Sequence, residues 1–303
     1  MFRIPNFEII VFTDPVCSWA WGSEPVLKKL KSRFPKKIKI SYVSVGLIED
    51  IRNYRDDKND IGGDIKKANS NIGNIWAEVS KKSKMPICTD DIRLFSDEYP
   101  STYPANVAYY AAKIQSEKLA KKFLRRMTEA ALTEGSRVTN PRVLIELANC
   151  TGLKIGQFIE DMESGSALRL FEEDKLFAKQ NKINTFPSFL IRNNYNGKSM
   201  ILRGYQTYEN FKNTIQYLSD EALVELFREK SEADVVLYLK EEIKSTVAEI
   251  QAIFNYTDEE MTEVVNDLKQ KGYVETETLS GGSFIYYLGK PMICDPETNI
   301  CIL

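Results

Sequence analysis

The residue best placed for chemistry is a cysteine at a strand-to-helix junction. In Asp14-Pro15-Val16-Cys17-Ser18-Trp19-Ala20-Trp21-Gly22, Cys17 follows the apolar run Phe7 to Phe12 and opens a helical pattern that Pro35 stops. A cysteine there faces the unpaired N–H groups of the first helical turn and the positive end of the dipole. Both favour the thiolate, the nucleophilic form of the side chain. The plainer reading is a small buried residue, as free cysteines commonly are. A second element is Thr185-Phe186-Pro187-Ser188-Phe189. A proline that begins the first strand after a long helical stretch is placed to face the Cys17 loop. In the cis form it would turn the backbone polar groups of Phe186 toward an incoming peptide. The plainer alternative is a strand-initiating proline.

The other cysteines carry less. Cys88 and Cys150 read as structural, Cys150 within an apolar helical pattern and Cys88 near a loop. Cys294 and Cys301 bracket a six-residue tail segment and read either as an auxiliary redox pair for Cys17 or as two exposed thiols. The sequence has 0 histidines, which removes Ser-His and Cys-His catalysis and histidine metal ligands. Two tail thiolates alone do not complete a zinc site, so no metal and no cofactor are expected.

The elements that must hold Cys17 follow from periodicity. Phe7 to Phe12 and the alternating Ile38 to Val45 read as strands, with a helix from about Cys17 to Phe34 between them, which implies a parallel pair with a crossover helix. From about Gly63 to Lys182 the pattern is helical, with helices over Asn106 to Lys113 and Lys118 to Leu132. Another opens at Thr139-Asn140-Pro141, and helical periods run on from Phe158 to Asn181. Pro187 to Arg192 and Ser199 to Leu202 form a hairpin, and Tyr208 to Leu218 a closing helix. The order is βαβ, a helical insert, then ββα.

A charged helical linker over Ser219 to Glu232 leads to a second unit. This carries helices over Ala233 to Glu242, Thr246 to Phe254 and Asp258 to Lys271, and strands over Tyr273 to Thr278 and Phe284 to Leu288 around a Gly281-Gly282 turn. Three helices and a glycine-turn hairpin read as a winged helix.

The chain resembles the DsbA family, in particular its cytoplasmic FrnE-like branch of predicted disulfide isomerases. Three separated segments carry the likeness: Asp14 to Leu27, Ser101-Thr102-Tyr103-Pro104-Ala105-Asn106, and Thr185-Phe186-Pro187. The resemblance covers about residues 5 to 220. It implies an α/β thioredoxin fold with a large helical insertion and a thiol–disulfide oxidoreductase or isomerase acting on protein or small-molecule disulfides. Cys17 takes the nucleophile's role and Pro187 the cis-proline's, while Trp19, Trp21, Thr185 and Phe186 line a substrate groove. One departure matters. The family's second cysteine, three residues after the first, is Ala20 here, so a mixed disulfide on Cys17 has no neighbouring thiol to resolve it. Substitution by design to trap complexes, a natural monothiol that relies on an external thiol, and lost catalysis with the groove kept for binding all remain open.

These readings place a DsbA-like thioredoxin domain at 1–220, with its insertion at about 60–183, and a winged-helix domain with a C-terminal tail at 221–303. By architecture the pairing also resembles the adaptor that delivers the transcription factor Spx to the ClpXP protease, a non-catalytic alternative. With 303 residues, an apolar fraction of 43% and a net charge of −2, two globular domains are expected and nucleic acid is not an expected partner. The acidic third helix of the second unit (Asp258, Glu259, Glu260, Glu263, Asp267) would repel phosphates, which favours protein contact or dimerisation there. The start of the chain does not read as a signal peptide and no run is long enough to span a membrane, so the expected location is the cytoplasm, with reduced cysteines.

Overall fold

A computed structural model describes residues 6–221, 223–289, 293–294 and 301–302, and for the last two pairs the backbone only. A four-stranded sheet in the order β2-β1-β3-β4 organises the first two-thirds. β1 (Phe7–Thr13) runs parallel to β2 (Ile38–Ser44) through the crossover helix α1 (Ser18–Arg33). β1 also pairs antiparallel with β3 (Ser188–Asn193), which forms a hairpin with β4 (Ser199–Arg203). The β1 sequence explains its central position. Phe7, Ile9 and Val11 pack on one face with Leu27 and Leu30 of α1 and with Phe211 and Ile215 of α8 (Tyr208–Leu218). Ile10 and Phe12 pack on the other with Ala178 of α7 (Ser166–Gln180). An apolar run with both faces covered is what a central strand requires.

β2 lies at the sheet edge, and its free carbonyls are covered one by one. Between β2 and β3 come α2 (Ile65–Ser83), α3 (Tyr103–Gln115), α4 (Glu117–Thr133), α5 (Pro141–Thr151), α6 (Ile155–Glu163) and α7. From α3, the Tyr110 and Tyr109 hydroxyls donate to the Ser44 and Tyr42 carbonyls at 2.9 and 3.0 Å. From α4, Lys121 Nζ donates to the Ile40 carbonyl at 2.5 Å. These bonds satisfy an edge that would otherwise template pairing with another chain. The helical run expected over Phe158 to Asn181 is broken in two, because Gly165 takes φ 80° between α6 and α7.

The final third holds α9 (Glu232–Glu242), β5 (Lys244–Thr246), α10 (Val247–Phe254), α11 (Asp258–Gln270), β6 (Val274–Leu279) and β7 (Gly282–Tyr287), with sheet order β5-β7-β6. β5 is too short to show as a period in the sequence. Capping boxes start both α10 (Thr246 with Glu249) and α11 (Thr257 with Glu260). The helical linker expected over Ser219 to Glu232 is not formed. Residues 223–230 are irregular and act as a strap: Leu226 N–H donates to the Arg33 carbonyl at 2.9 Å, and the Arg33 guanidinium lies 4.3 Å from the Phe227 ring centre. Tertiary bonds to α1 replaced the local ones that a helix would have made.

The final unit is packed firmly onto the rest. Ala248 and Phe284 belong to the same buried cluster as Trp21, Val79, Met85 and Ile87. The β6–β7 turn docks on the end of α2, where the Ser280 carbonyl accepts from Ser80 Oγ at 2.7 Å and from Ile87 N–H at 3.3 Å. A Cβ on Gly281 would come within 2.0 Å of Ser80 Oγ, and one on Gly282 within 2.3 Å of the Lys84 carbonyl oxygen, so the approach requires glycine at both positions. β8 (Ile293–Cys294) and β9 (Cys301–Ile302) pair antiparallel with Cys294 opposite Cys301. The side chains of this expected redox pair lie outside the described residues.

Candidate functional site

Asp14 builds the turn that carries Cys17. Its buried carboxylate accepts from Val16 N–H at 2.9 Å, Leu47 N–H at 2.7 Å, Thr102 Oγ1 at 2.8 Å and Asn106 Nδ2 at 2.8 Å. Thr102 and Asn106 flank the start of α3, so two sequence segments singled out separately meet at one carboxylate. Burial is the first influence on Asp14 and holds its pKa above the ordinary value despite these donors. Sequence reasoning gave Asp14 no role. The signal available was its type, since an aspartate at a strand end commonly ties down following backbone N–H groups.

Cys17 is the N-cap of α1, and its carbonyl accepts from the Ala20 and Trp21 N–H groups, both at 3.1 Å. The thiol does not behave as the position suggests. Cys17 is only 6% exposed. Burial pushes its pKa up to about 12, and the nearby Asp14 charge pushes the same way against the helix-start N–H groups of Ala20 and Trp19. The expected activation to thiolate is therefore corrected: desolvation outweighs the N-terminal amides, and the thiol is protonated at neutral pH.

Pro187 follows a cis peptide bond from Phe186. Because Phe12 pairs with Ser188, Pro187 stands at the same end of the sheet as the Cys17 turn. Phe186 and Cys17 nevertheless line different cavities. Phe186 lines a groove of about 620 Å³ with Val45, Gly46 and Tyr103. Cys17 and Ala20 line a larger cleft of about 1000 Å³ between α1, β2, α4 and the α9–β5 segment. Thr185 is exposed at the strand entrance, and its carbonyl accepts from Ser188 Oγ at 2.7 Å.

The tryptophans also part company. Trp19 is half-buried beside Tyr205, ring centres 5.7 Å apart, with Lys82 Nζ 5.3 and 5.0 Å from the two centres. Trp21, expected to line a substrate groove, is 1% exposed. Its Nε1–H donates to the Pro86 carbonyl at 3.0 Å, Phe284 of β7 lies 6.4 Å from it, and the Arg125 guanidinium sits 4.1 Å from its ring centre. It is a joint between the two parts of the chain. Arg125 continues that joint, pairing with Glu129 and with the buried Glu249 at 2.7 Å each. Cys150, expected inside an apolar helix face, is exposed and lines the cleft instead, while Cys88 is partly buried.

The ClpXP adapter protein SpxH of Halalkalibacterium halodurans is 26% identical over 93% of this chain and 89% of its own length. A putative protein disulfide isomerase from Nitrosomonas europaea superposes with a TM-score of 0.58 at 16% identity, covering 70% of this chain and 97% of the other. A probable DsbA oxidoreductase from Streptomyces coelicolor does so with a TM-score of 0.53 at 15% identity, over 74% and 94%. At these identities the likeness is one of fold: the βαβ–helical insert–ββα order of this chain is a thioredoxin fold with a DsbA-like insertion. A family model described as thioredoxin matches residues 10–213, the span that runs from β1 through the Cys17 turn to α8, and the chain belongs to that family.

Proposed function

We propose that this chain is a protein-binding adapter of the kind named for its curated relatives, bringing a client protein to the ClpXP protease, and that it does not turn over disulfides. One observation carries the reading: the only cysteine at the thioredoxin active-site position is buried, protonated at neutral pH and followed by Ala20 where a resolving thiol would stand. Thiol exchange needs a thiolate and then a second thiol. Likeness to an SpxH over nearly the full length of both chains supports the same reading.

The division into a DsbA-like unit at 1–220 and a winged-helix unit at 221–303 is part of this proposal. The order α9-β5-α10-α11-β6-β7 with sheet order β5-β7-β6 supports the winged helix. A protein-contact role for it is supported by the docked β6–β7 turn, which faces α2, and by the acidic first turn of α11, where Asp258 pairs with Lys84 and Glu260 with Lys230. The free thiols Cys17, Cys88 and Cys150 support a reducing, cytoplasmic setting. Among the described residues no helix is long and apolar enough to cross a membrane.

Thiol–disulfide exchange through Cys17 is the second reading, as the Asp14 to Leu27 stretch of the FrnE-like branch suggests. It is favoured by the place of Cys17 at the start of α1, on the sheet end where β3 begins. One pair of assays separates the two. Purified chain is added to Spx and ClpXP, and to insulin with dithiothreitol, each with a Cys17→Ser control. The adapter reading expects faster Spx degradation that survives Cys17→Ser, and no insulin reduction above background. Insulin reduction that Cys17→Ser abolishes overturns it.

A further inference from the structure

We propose that the cleft between α1, β2, α4 and α9 binds an acidic segment of a partner polypeptide. The proposal deepens the adapter reading and rests on it for the partner being a protein. Ten lysines and arginines line the cleft against five acidic residues, in a chain whose net charge is −2. Five of those cations have carboxylate partners within the molecule: Arg125 with Glu249, Arg126 with Glu134, Lys28 with Glu242, Lys244 with Glu129 and Lys39 with Glu8. Among the described residues, Lys31, Lys36, Lys118, Lys121 and Lys122 have none.

These five converge from three places: the last turn of α1, the turn before β2, and the start of α4. Lys118, Lys121 and Lys122 share one face of α4 by their three- and four-residue spacing. They also sit near the positive end of that helix, where the dipole adds to their charge instead of offsetting it. Lys121 is half-buried, and its pKa is held below the ordinary value first by burial and then by Lys39 and Lys31, which together with burial outweigh the opposing Glu117 and Glu8. One of its protons goes to the Ile40 carbonyl, which leaves two of three donors free. Lysines crowded around a concave surface and outnumbering its carboxylates are an arrangement that an incoming carboxylate relieves.

The lining favours a polypeptide over a nucleic acid. Its aromatic members offer no stacking platform: Trp21 is 1% exposed, and the Tyr42 hydroxyl is held by Glu24 at 3.1 Å. Glu241 and Glu242 at one end are exposed and would repel an unbroken run of phosphates, but not a chain with separated charges. Ile40, among the lysines, offers an apolar contact suited to an aliphatic side chain between two carboxylates.

The test uses the full chain and a fluorescein-labelled 12-residue peptide of glutamate with interspersed leucine, followed by anisotropy at low salt. A peptide with lysine for glutamate is the comparison. The acidic peptide should bind and the basic one should not. Lys118→Glu with Lys122→Glu should weaken binding about tenfold or more, and Lys66→Glu on the outer face of α2 should leave it unchanged. Salt should weaken it as the screening length shortens. No binding, binding indifferent to the α4 reversals, or displacement by a single-stranded oligonucleotide at lower concentration than by unlabelled peptide each overturns the assignment. Thermal unfolding of the variants guards against loss of fold. If the peptide fails to bind while the chain still speeds Spx degradation by ClpXP, the cleft assignment falls and the adapter reading stands. If the peptide binds and degradation is not stimulated, the adapter reading falls and the cleft keeps its acidic ligand.

Discussion

Replacing Arg125 by methionine should cost about 3–5 kcal/mol at neutral pH, the usual consequence of stripping the partner from a buried charge. The structure supplies its own measure. Glu249 is 0% exposed, and burial alone would raise its pKa, yet Arg125 and then Lys28 bring it down to about 2 from an ordinary 4.5. A depression of that size corresponds to about 3 kcal/mol of folded-state preference for the carboxylate. Because the folded value lies below the unfolded one, that contribution is complete above about pH 4.5 and is lost as pH falls toward about 2. In Arg125→Met, burial dominates and Glu249 takes up a proton more readily, so the gap between variant and natural chain should narrow as pH falls from 7 to about 3 and close only toward about 2. Glu249→Gln placed in the Arg125→Met background should recover more than half of the loss. The amide keeps an oxygen for Thr246 N–H and Oγ1, which Glu249 accepts at 3.0 and 3.2 Å, while removing the unpaired charge. Urea unfolding followed by tryptophan fluorescence reads this directly, since the Arg125 guanidinium lies over Trp21. A cost under about 1 kcal/mol, or a gap that does not change with pH, would refute the reasoning.

Two further outcomes follow from the same geometry. With limiting iodoacetamide at pH 7, the exposed Cys150 should alkylate before Cys17, whose thiol burial holds at about 12; early labelling of Cys17 in the mass spectrum of the native protein would contradict the protonated thiol. Gly281→Val puts a side chain where Ser80 already stands and adds strain at φ 73°, so it should cost about 1–3 kcal/mol and expose the β6–β7 turn to protease, whereas Gly135→Ala, which carries the same kind of strain at φ 65° but has nothing within 4 Å of the added Cβ, should leave that turn protected.

The secondary structure was legible wherever one local pattern decided the outcome. β1 reads as a buried strand because Ile9 to Phe12 form a contiguous apolar run, and α5 starts at Pro141 because Asn140 caps it. The thioredoxin order was legible for the same reason, since each strand and helix carries its own period. What failed was local pattern overruled from a distance. The strap after α8 has charged, helix-compatible residues, but Leu226 and Phe227 bond and stack on Arg33 of α1 instead. β5 exists because Phe284, Ile285 and Tyr286 of β7 pair with it, and nothing within Lys244 to Thr246 announces that.

The site failed in an instructive direction. Cys17 was found by position, and position was right: it caps α1 at the end of β1. Its reactivity was inferred from the same fact, and there the inference broke, because amide dipoles act over one turn while desolvation depends on everything packed around the sulfur. The Asp14 charge that steadies the turn works against a thiolate beside it, and Trp21, four residues on, lines the same cleft as Cys17 but is held there as a buried joint by Pro86, Arg125 and Phe284 from three other segments. The final unit covers α1 through α10 and holds the joint with the Arg125–Glu249 pair. A helix that opens an active site in one setting becomes an interface in another when a second unit is laid over it. The cations left unpaired at the edge of that interface then become the part of the surface with binding capacity to spare.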